Sequence, residues 1–488
     1  MERAGGPRIQ RHRPRPEACL TGAARAPRIA ILAHVGNENL GDEAIVTALV
    51  QNLRRRCPGA ELYGISCDPR DTERRHGIRT YAVRSGSVDG LRASLDRQPE
   101  PGSAKPGATL AGRTRSVLRR VPGAVAAVHA VRTAARLLGA ALSEGRHAVA
   151  SYRVLRATDL VIIAGSAQLM DNWGGPWAFP FTLFKWSLLA KMRGASVAFA
   201  SVGVGPLTTR IGRALIRRCL MRADYRSYRE DSSRNLVRSL GVSGLDPVVP
   251  DLVFSMEQLD GGSQPERGTP VVGINPMPLF DGSYWPEDDR PAYERYLETL
   301  ARFADWLLGL GYEADFFPTQ LRVDPGTIRE IRGRMGRLPG SGRRDAGAMR
   351  SLDDVLAAVR HMDIVVATRY HGTLFPLLLG KPVLSIAYQP KTRDLMRLVG
   401  QEQFAIDFRK LDLARLQERF LALVDDQQAF TRTVAQRIRE ARRALDRQYD
   451  RLLALISRPV PSEEPSQAAL RERRARALVH SQPPSGQC

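Results

Sequence analysis

The chain is short of the residues that would announce a metal site, a disulfide framework or a membrane span. Five cysteines (Cys19, Cys57, Cys67, Cys219 and Cys488) are scattered through 488 residues with no CxxC pair. That spacing argues against structural zinc and fits a reducing compartment. The eight histidines are dispersed and no HExxH occurs, so no metal is expected. No uninterrupted apolar run reaches the roughly 18 residues that a membrane span requires. The N-terminus is rich in Arg and Pro without an apolar core and does not read as a secretory signal. A cytoplasmic enzyme is the default expectation. Lysine is scarce too: six in all, so nearly all the positive charge is arginine, which also fits a base-composition bias in the gene.

The net charge of +22 is unevenly placed. Residues 1–27, 101–156 and 457–488 carry +4, +9 and +2, which together make fifteen of the twenty-two. No aromatic–basic platform or recognition helix accompanies this charge, so nucleic acid is not an expected partner.

The length suggests two domains plus tails, and 43% hydrophobic residues with a mean hydropathy of -0.27 describe a soluble globular protein. Residues 1–27 and 457–488 read as disordered tails. Residues 28–255 read as a first α/β domain with a basic insertion at about 84–150. A Gly-, Gln-, Ser- and Glu-rich linker at 256–269 leads to a second α/β domain at 270–456, whose long last helix is expected to brace the first. Within the insertion a helix is predicted from Pro122 to about Leu142, with Val125, Val128, Val131, Leu138 and Leu142 at helical intervals. This stripe is read as packed core. Peripheral contact with an anionic membrane surface, at its inner face, is the alternative.

Chemistry concentrates at strand ends. Ile364 to Ala367 ends in Thr368, Arg369, Tyr370 and His371; a helical run follows, and Pro382 to Ile386 leads to Tyr388 and Lys391. In such βαβ units ligands sit off the carboxyl ends of the strands, so Arg369, His371 and Lys391 share a crevice. Two cations bind an anion and an imidazole moves a proton near neutral pH. An acidic small molecule is the substrate this suggests. Ile29 to Ala33 runs into Asn37, Asn39, Gly41 and Asp42 before a helix, a geometry that suits an anion or a hydroxyl. Simple capping by Asn39 and Asp42 is the competing reading. Asp159 to Ala164 ends in a loop carrying Gln168 and Asp171. Two doubly wound Rossmann-like domains facing a cleft are therefore expected.

In order along the chain stand Asn37–Glu43 (NENLGDE), the Ala164–Asp171 loop, Tyr228-Arg229-Glu230-Asp231-Ser232, Pro250-Asp251, Arg369-Tyr370-His371-Gly372 and Tyr388 to Lys391. Together, over roughly residues 28–425, they resemble the polysaccharide pyruvyl transferase family. The resemblance implies a GT-B-like fold. It also implies transfer of the pyruvyl group of phosphoenolpyruvate onto a sugar as a ketal, with release of phosphate. Phosphoenolpyruvate is then a co-substrate and no cofactor is needed. The acceptor is an envelope or extracellular glycan or a lipid-linked sugar. One departure is visible: the family's glycine run is here Ala164-Gly165-Ser166-Ala167-Gln168, whose extra Cβ atoms narrow the approach to the backbone and bear on the acceptor's pose.

Under that resemblance Arg369 clamps the donor's carboxylate or phosphate, with Lys391 adding charge and Arg229 closing from the first domain. His371 donates the proton or hydrogen-bonds the departing phosphate. Asp42 and Asp171 serve as base or as contacts to the acceptor hydroxyls, and Asn37, Asn39 and Gln168 support the acceptor by hydrogen bonds. Two competing functions are a GT-B-like glycosyltransferase using a nucleotide sugar, and a scaffold without activity.

Overall fold

The computed structural model describes residues 25–85, 124–244, 246–257, 268–282, 284–285, 287–336 and 346–456, with backbone only for 124–137. Nearly all of the expected N-terminal tail, the first half of the insertion, the centre of the linker and the C-terminal tail lie outside the described residues.

The first lobe holds strands β1 (Arg28–Leu32), β2 (Glu61–Ser66), β3 (Arg79–Ala82), β4 (Leu160–Ala164), β5 (Ser196–Val202) and β6 (Tyr225–Tyr228). They form a parallel sheet in the order β3-β2-β1-β4-β5-β6. The second lobe holds β7 (Val271–Asn275), β8 (Glu313–Phe316), β9 (Ile364–Ala367), β10 (Val383–Ala387) and β11 (Ala405–Asp407). Its parallel order is β11-β10-β9-β7-β8. Every residue of β4 and β7 is buried, because helices cover both faces of each sheet. Strand order reverses beside β1 and β4 in one lobe and beside β7 and β9 in the other. Those switch points open a crevice at the strands' carboxyl ends, and the two crevices face each other.

The segment expected as an insertion is half crossover. Helix Ala124–Val154 carries the chain from β3 back to β4, and it extends well past the expected end near Leu142. Its stripe is not packed core at the positions that can be described: Leu138 is 63% exposed and Leu142 is 56% exposed. The face that packs is the opposite one, where Glu144 pairs with Lys185 and the His147 ring meets Trp186 of helix Phe179–Met192.

The last helix, Gln427–Ala454, crosses back onto the first lobe. Its Gln448 Nε2 donates to Ser201 Oγ at 3.0 Å and its Oε1 accepts from Ser227 Oγ, while Tyr449 Oη meets Ser255 Oγ at 3.0 Å. Leu445 and Leu452 are fully buried in a core that runs unbroken from Ile29 through Leu300 to Leu455. The lobes are therefore fastened together behind the crevice.

Candidate functional site

The loops leaving β1, β4, β7 and β9 meet in a cleft of about 1310 Å³ between the lobes. A short strap holds its two sides. Leu40 N donates to Thr319 O at 2.9 Å, Leu321 N to Glu38 O at 3.0 Å, and Gln320 Nε2 to Asn37 O at 2.9 Å. Asn39 caps helix Leu40–Arg56 by accepting from Gly41 N at 3.1 Å, and Asn37 Oδ1 accepts from Asn39 N at 3.2 Å. Glu38 between them has a φ of 63°, a conformation that costs energy and is held by the strap.

Gly41 is what lets the helix end reach the opposite lobe. A Cβ there would lie 1.9 Å from His371 Nδ1. One residue on, Asp42 lines the cleft while only 7% exposed. Burial pushes its carboxyl up to about 6, against the pull of His371 and a hydrogen bond with Ser166. Asp42 can thus exchange a proton near neutral pH.

His371 sits in the first turn of helix Tyr370–Leu378, with its side chain 10% exposed. Its Nε2 has no hydrogen-bond partner and lies 3.7 Å from Asp251 Oδ2, a charge contact rather than a hydrogen bond. Asp251 is fully buried, accepting from Arg229 Nη1 at 2.9 Å and from Val253 N at 3.0 Å. Burial favours its neutral form, yet His371, Arg229 and the Val253 N–H hold it at about 2. It is a permanent carboxylate facing an imidazole.

Arg229 lines the cleft with its guanidinium already paired. Its Nε donates to Glu230 at 2.9 Å, its Nη1 to Asp251, and its guanidinium lies over the Tyr370 ring at 4.3 Å. With its side chain 3% exposed, it anchors Asp251. Arg369 is also paired. Its Nε donates to Asp324 Oδ1 and Oδ2 at 2.8 and 2.9 Å, and Asp324 accepts from Thr319 N and Gln320 N as well. Burial works to lower the Arg369 pKa, but the Asp324 carboxylate more than offsets it, so this cation is permanent. Lys391 lies half-buried in the first turn of helix Pro390–Leu398, 5.8 Å from the Tyr388 ring. Among the described residues no carboxylate pairs with it.

Gln168 is buried and lines the cleft, its Nε2 donating to Ala164 O at 3.0 Å. Ser166 beside it has a φ of 55°. Asp171 does not line the cleft, and its carboxylate is fully engaged. Oδ1 accepts from Thr208 N and Oγ1 at 2.7 and 3.0 Å, and Oδ2 from Thr209 N and Oγ1 at 2.8 and 2.6 Å. Burial would raise its pKa, but these four donors hold it below the usual carboxylate range. In place of the expected base, it is a brace for the loop that follows.

Reading the sequence missed several residues that line the cleft or sit behind it. Asp251 was visible as a Pro-Asp pair after an apolar run, without a role. Asp324 reaches Arg369 from a helix with no local signal. His34 lines the cleft and burial pushes its imidazole down to about 4, so it stands neutral. Trp173, Tyr284, Trp285 and Tyr388 also line it. Among the described residues no group of His, Cys, Asp or Glu is placed to hold a metal ion, and no helix is long and apolar enough to cross a membrane.

Fold and cleft together define a two-lobed α/β protein with cations and titratable groups gathered at a domain seam. The sequence pattern of the family described as Polysaccharide pyruvyl transferase matches residues 39–390, well over half of the chain. The chain belongs to the polysaccharide pyruvyl transferase family. Similar solved structures include the glycosyltransferase SnogD from Streptomyces nogalater, 17% identical, covering 86% of this chain and 99% of that one at a TM-score of 0.47. The α,α-trehalose 6-phosphate synthase from Burkholderia multivorans is 11% identical, with 95% and 100% covered and a TM-score of 0.47. A UDP-GlcNAc 2-epimerase from Neisseria meningitidis is 11% identical, with 83% and 94% covered and a TM-score of 0.44. At these values the likenesses bear on neither substrate nor mechanism. Among curated proteins none matches this chain.

Proposed function

We propose that this chain moves the pyruvyl group of phosphoenolpyruvate onto a sugar of an envelope or extracellular glycan, or its lipid-linked precursor, as a ketal. The observation that carries this is one cleft holding Arg369 and Lys391 beside a titratable Asp42 and the His371 imidazole. Phosphoenolpyruvate brings a phosphate and a carboxylate, which the two cations take. His371 protonates the methylene carbon, and positive charge develops on the carbon that bears the enol oxygen. An acceptor hydroxyl attacks that carbon and gives its proton to Asp42. The bond to phosphate oxygen then breaks, phosphate leaves, and a second hydroxyl closes the ring. Of the two hydroxyl protons, one restores His371 and one leaves with phosphate. Asp251, fixed by Arg229, orients the imidazole and stabilises its charged form.

The reaction belongs in the cytoplasm, at the inner face of the membrane. Exposed Leu138, Leu142 and Val149 fall on one side of helix Ala124–Val154, flanked by exposed Arg146 and Arg153, and Glu144 is turned away toward Lys185. An apolar stripe edged by arginines suits an anionic lipid surface.

Calorimetric titration with phosphoenolpyruvate tests the reading, with UDP- and GDP-sugars as comparison ligands. The wild-type chain should bind phosphoenolpyruvate. Lys391→Ala should weaken it about ten-fold, the scale of one partly screened charge contact. Nucleotide-sugar binding without phosphoenolpyruvate binding would replace the reading with a glycosyltransferase. A His371→Ala chain that is stable and supports an unchanged cellular phenotype would replace it with a scaffold.

A further inference from the structure

The cleft is far larger than a three-carbon donor requires. Its volume of about 1310 Å³ exceeds the roughly 300–1,000 Å³ that holds a drug-sized ligand. The permanent Arg369 cation and the unpaired Lys391 stand on the second-lobe side. The first-lobe side has a different character. His34 is neutral, and Asn37, Ser166 and Gln168 are uncharged. Arg84 is committed there to Thr182 Oγ1 at 2.7 Å, to Ala178 O at 2.8 Å and to Trp177 O. Glu230 is committed to Arg229 and Ser233. Arg84 keeps its charge, since these acceptors are neutral, and Asp42 on the same side ionises above about 6.

Aromatic rings close the mouth between the two sides. Trp173 of the first lobe meets Tyr284 at 5.4 Å and Trp285 at 6.4 Å between centroids, and Trp285 meets Tyr388 at 5.5 Å. All four line the cleft, and Trp173 and Trp285 stay half-buried. Their mounts are rigid. Tyr284 N and Trp285 N both donate to Asp281 Oδ1, at 2.9 and 3.1 Å, and Phe280 packs on Trp285 at 6.0 Å. Asp171, through Thr208 and Thr209, fixes the base of the Trp173 loop. The Tyr284 ring also lies 5.8 Å from the Arg369 guanidinium, so whatever rests on these rings is beside the donor cation.

A sugar ring has an apolar face of C–H groups and a rim of hydroxyls. It suits an aromatic wall opposite polar groups that can meet its hydroxyls. We infer that Trp173 and Trp285 form the platform of the acceptor subsite, taking a pyranose ring with its hydroxyls toward His34, Asn37 and Gln168. This rests on the pyruvyl-transfer reading for the donor but not for the sugar. Trp173 and Trp285 determine acceptor affinity, and the loop of Asp171 positions them.

Tryptophan emission of the full chain is titrated with methyl galactoside, methyl glucoside and methyl mannoside, with and without phosphoenolpyruvate. At least one glycoside should change the emission saturably. Trp173→Phe and Trp285→Phe should each remove much of the change, and Trp306→Phe, away from the cleft, should not. Trp173→Ala should weaken the glycoside about ten-fold, the scale of one aromatic contact, and leave phosphoenolpyruvate affinity within about two-fold by calorimetry. No saturable change with any of the three glycosides overturns the inference. So does a Trp173→Ala chain that loses glycoside and phosphoenolpyruvate together, because the rings then only pack the lobes. Saturable glycoside binding without any phosphoenolpyruvate binding upholds the sugar site and rejects the pyruvyl donor.

Discussion

Replacing Asp42 by Asn should stop turnover and yet make the protein more stable at alkaline pH. The carboxyl is raised from 3.8 to about 6 by burial. A group raised on folding favours the folded state only while protonated. Its contribution is complete below about 3.8 and is lost as pH rises through about 6. Above that, ionised Asp42 costs the fold about 3 kcal/mol, at 1.36 kcal/mol per unit. Asparagine removes that cost. It also gives up the carboxylate's attraction to the start of helix Leu40–Arg56, about 0.3–1 kcal/mol. The desolvation effect is larger and wins. Asp42→Asn should therefore gain roughly 2 kcal/mol at pH 8, about half of that at pH 5, and little by pH 4. Urea denaturation of both chains at these pH values measures it. A variant less stable than wild type at pH 8, or one whose advantage does not change between pH 8 and pH 5, refutes the reasoning. Turnover should fall by about 10²–10⁴-fold, and wild-type kcat/KM should rise with pH through about 6.

Three further outcomes follow from the geometry. Gly41→Ala should cost about 1–3 kcal/mol and most activity, because the new Cβ would stand 1.9 Å from His371 Nδ1; a variant with wild-type denaturation and turnover removes the claim of close approach. Arg229→Ala leaves Asp251 and Glu230 without their shared guanidinium and should destabilise by about 3–5 kcal/mol, measured by urea denaturation; a shift under about 1 kcal/mol would mean the network is open to solvent. Vesicles containing phosphatidylserine should sediment with the chain, phosphatidylcholine vesicles should not, and Leu138→Asp with Leu142→Asp should abolish the effect; equal sedimentation with both lipids counts against an anionic surface.

How much was legible follows from how local each signal is. Strands β4 and β9 are unbroken apolar runs, and β5, β7 and β10 are nearly so, each ending in a polar loop, so two doubly wound sheets and a cleft at their carboxyl ends could be read directly. Helix Phe179–Met192 could not, because FPFTLFKWSLLAKM is apolar nearly all round and shows no periodic face. β3 and β11, of four and three residues, are too short to stand out. Leu138 and Leu142 carry the same helical spacing whether a stripe faces core or solvent, and only the fold decides which. At the site, residue types and strand-end positions were legible, but the partners were not. Arg369 meets Asp324, 45 residues away, and Arg229 meets Asp251, 22 residues away. A sequence shows a cation at a strand end; it does not show whether a carboxylate already holds it.

Those commitments divide the work of the cleft. Arg229 and Arg369 are each fixed by buried carboxylates, so neither must reorganise when an anion arrives. Lys391, with no carboxylate partner among the described residues, is left to supply net positive charge. The groups that the proposed reaction uses for proton transfer are split across the seam: Asp42 comes from the first lobe, and His371 comes from the second. Neither lobe alone holds both a titratable carboxyl and the imidazole it must act beside. That is why the strap at Glu38–Leu40, the missing side chain at Gly41 and the return of the last helix onto the first lobe belong to one design. Each holds the seam at the separation that sets Asp42 close enough to feel the charge of His371.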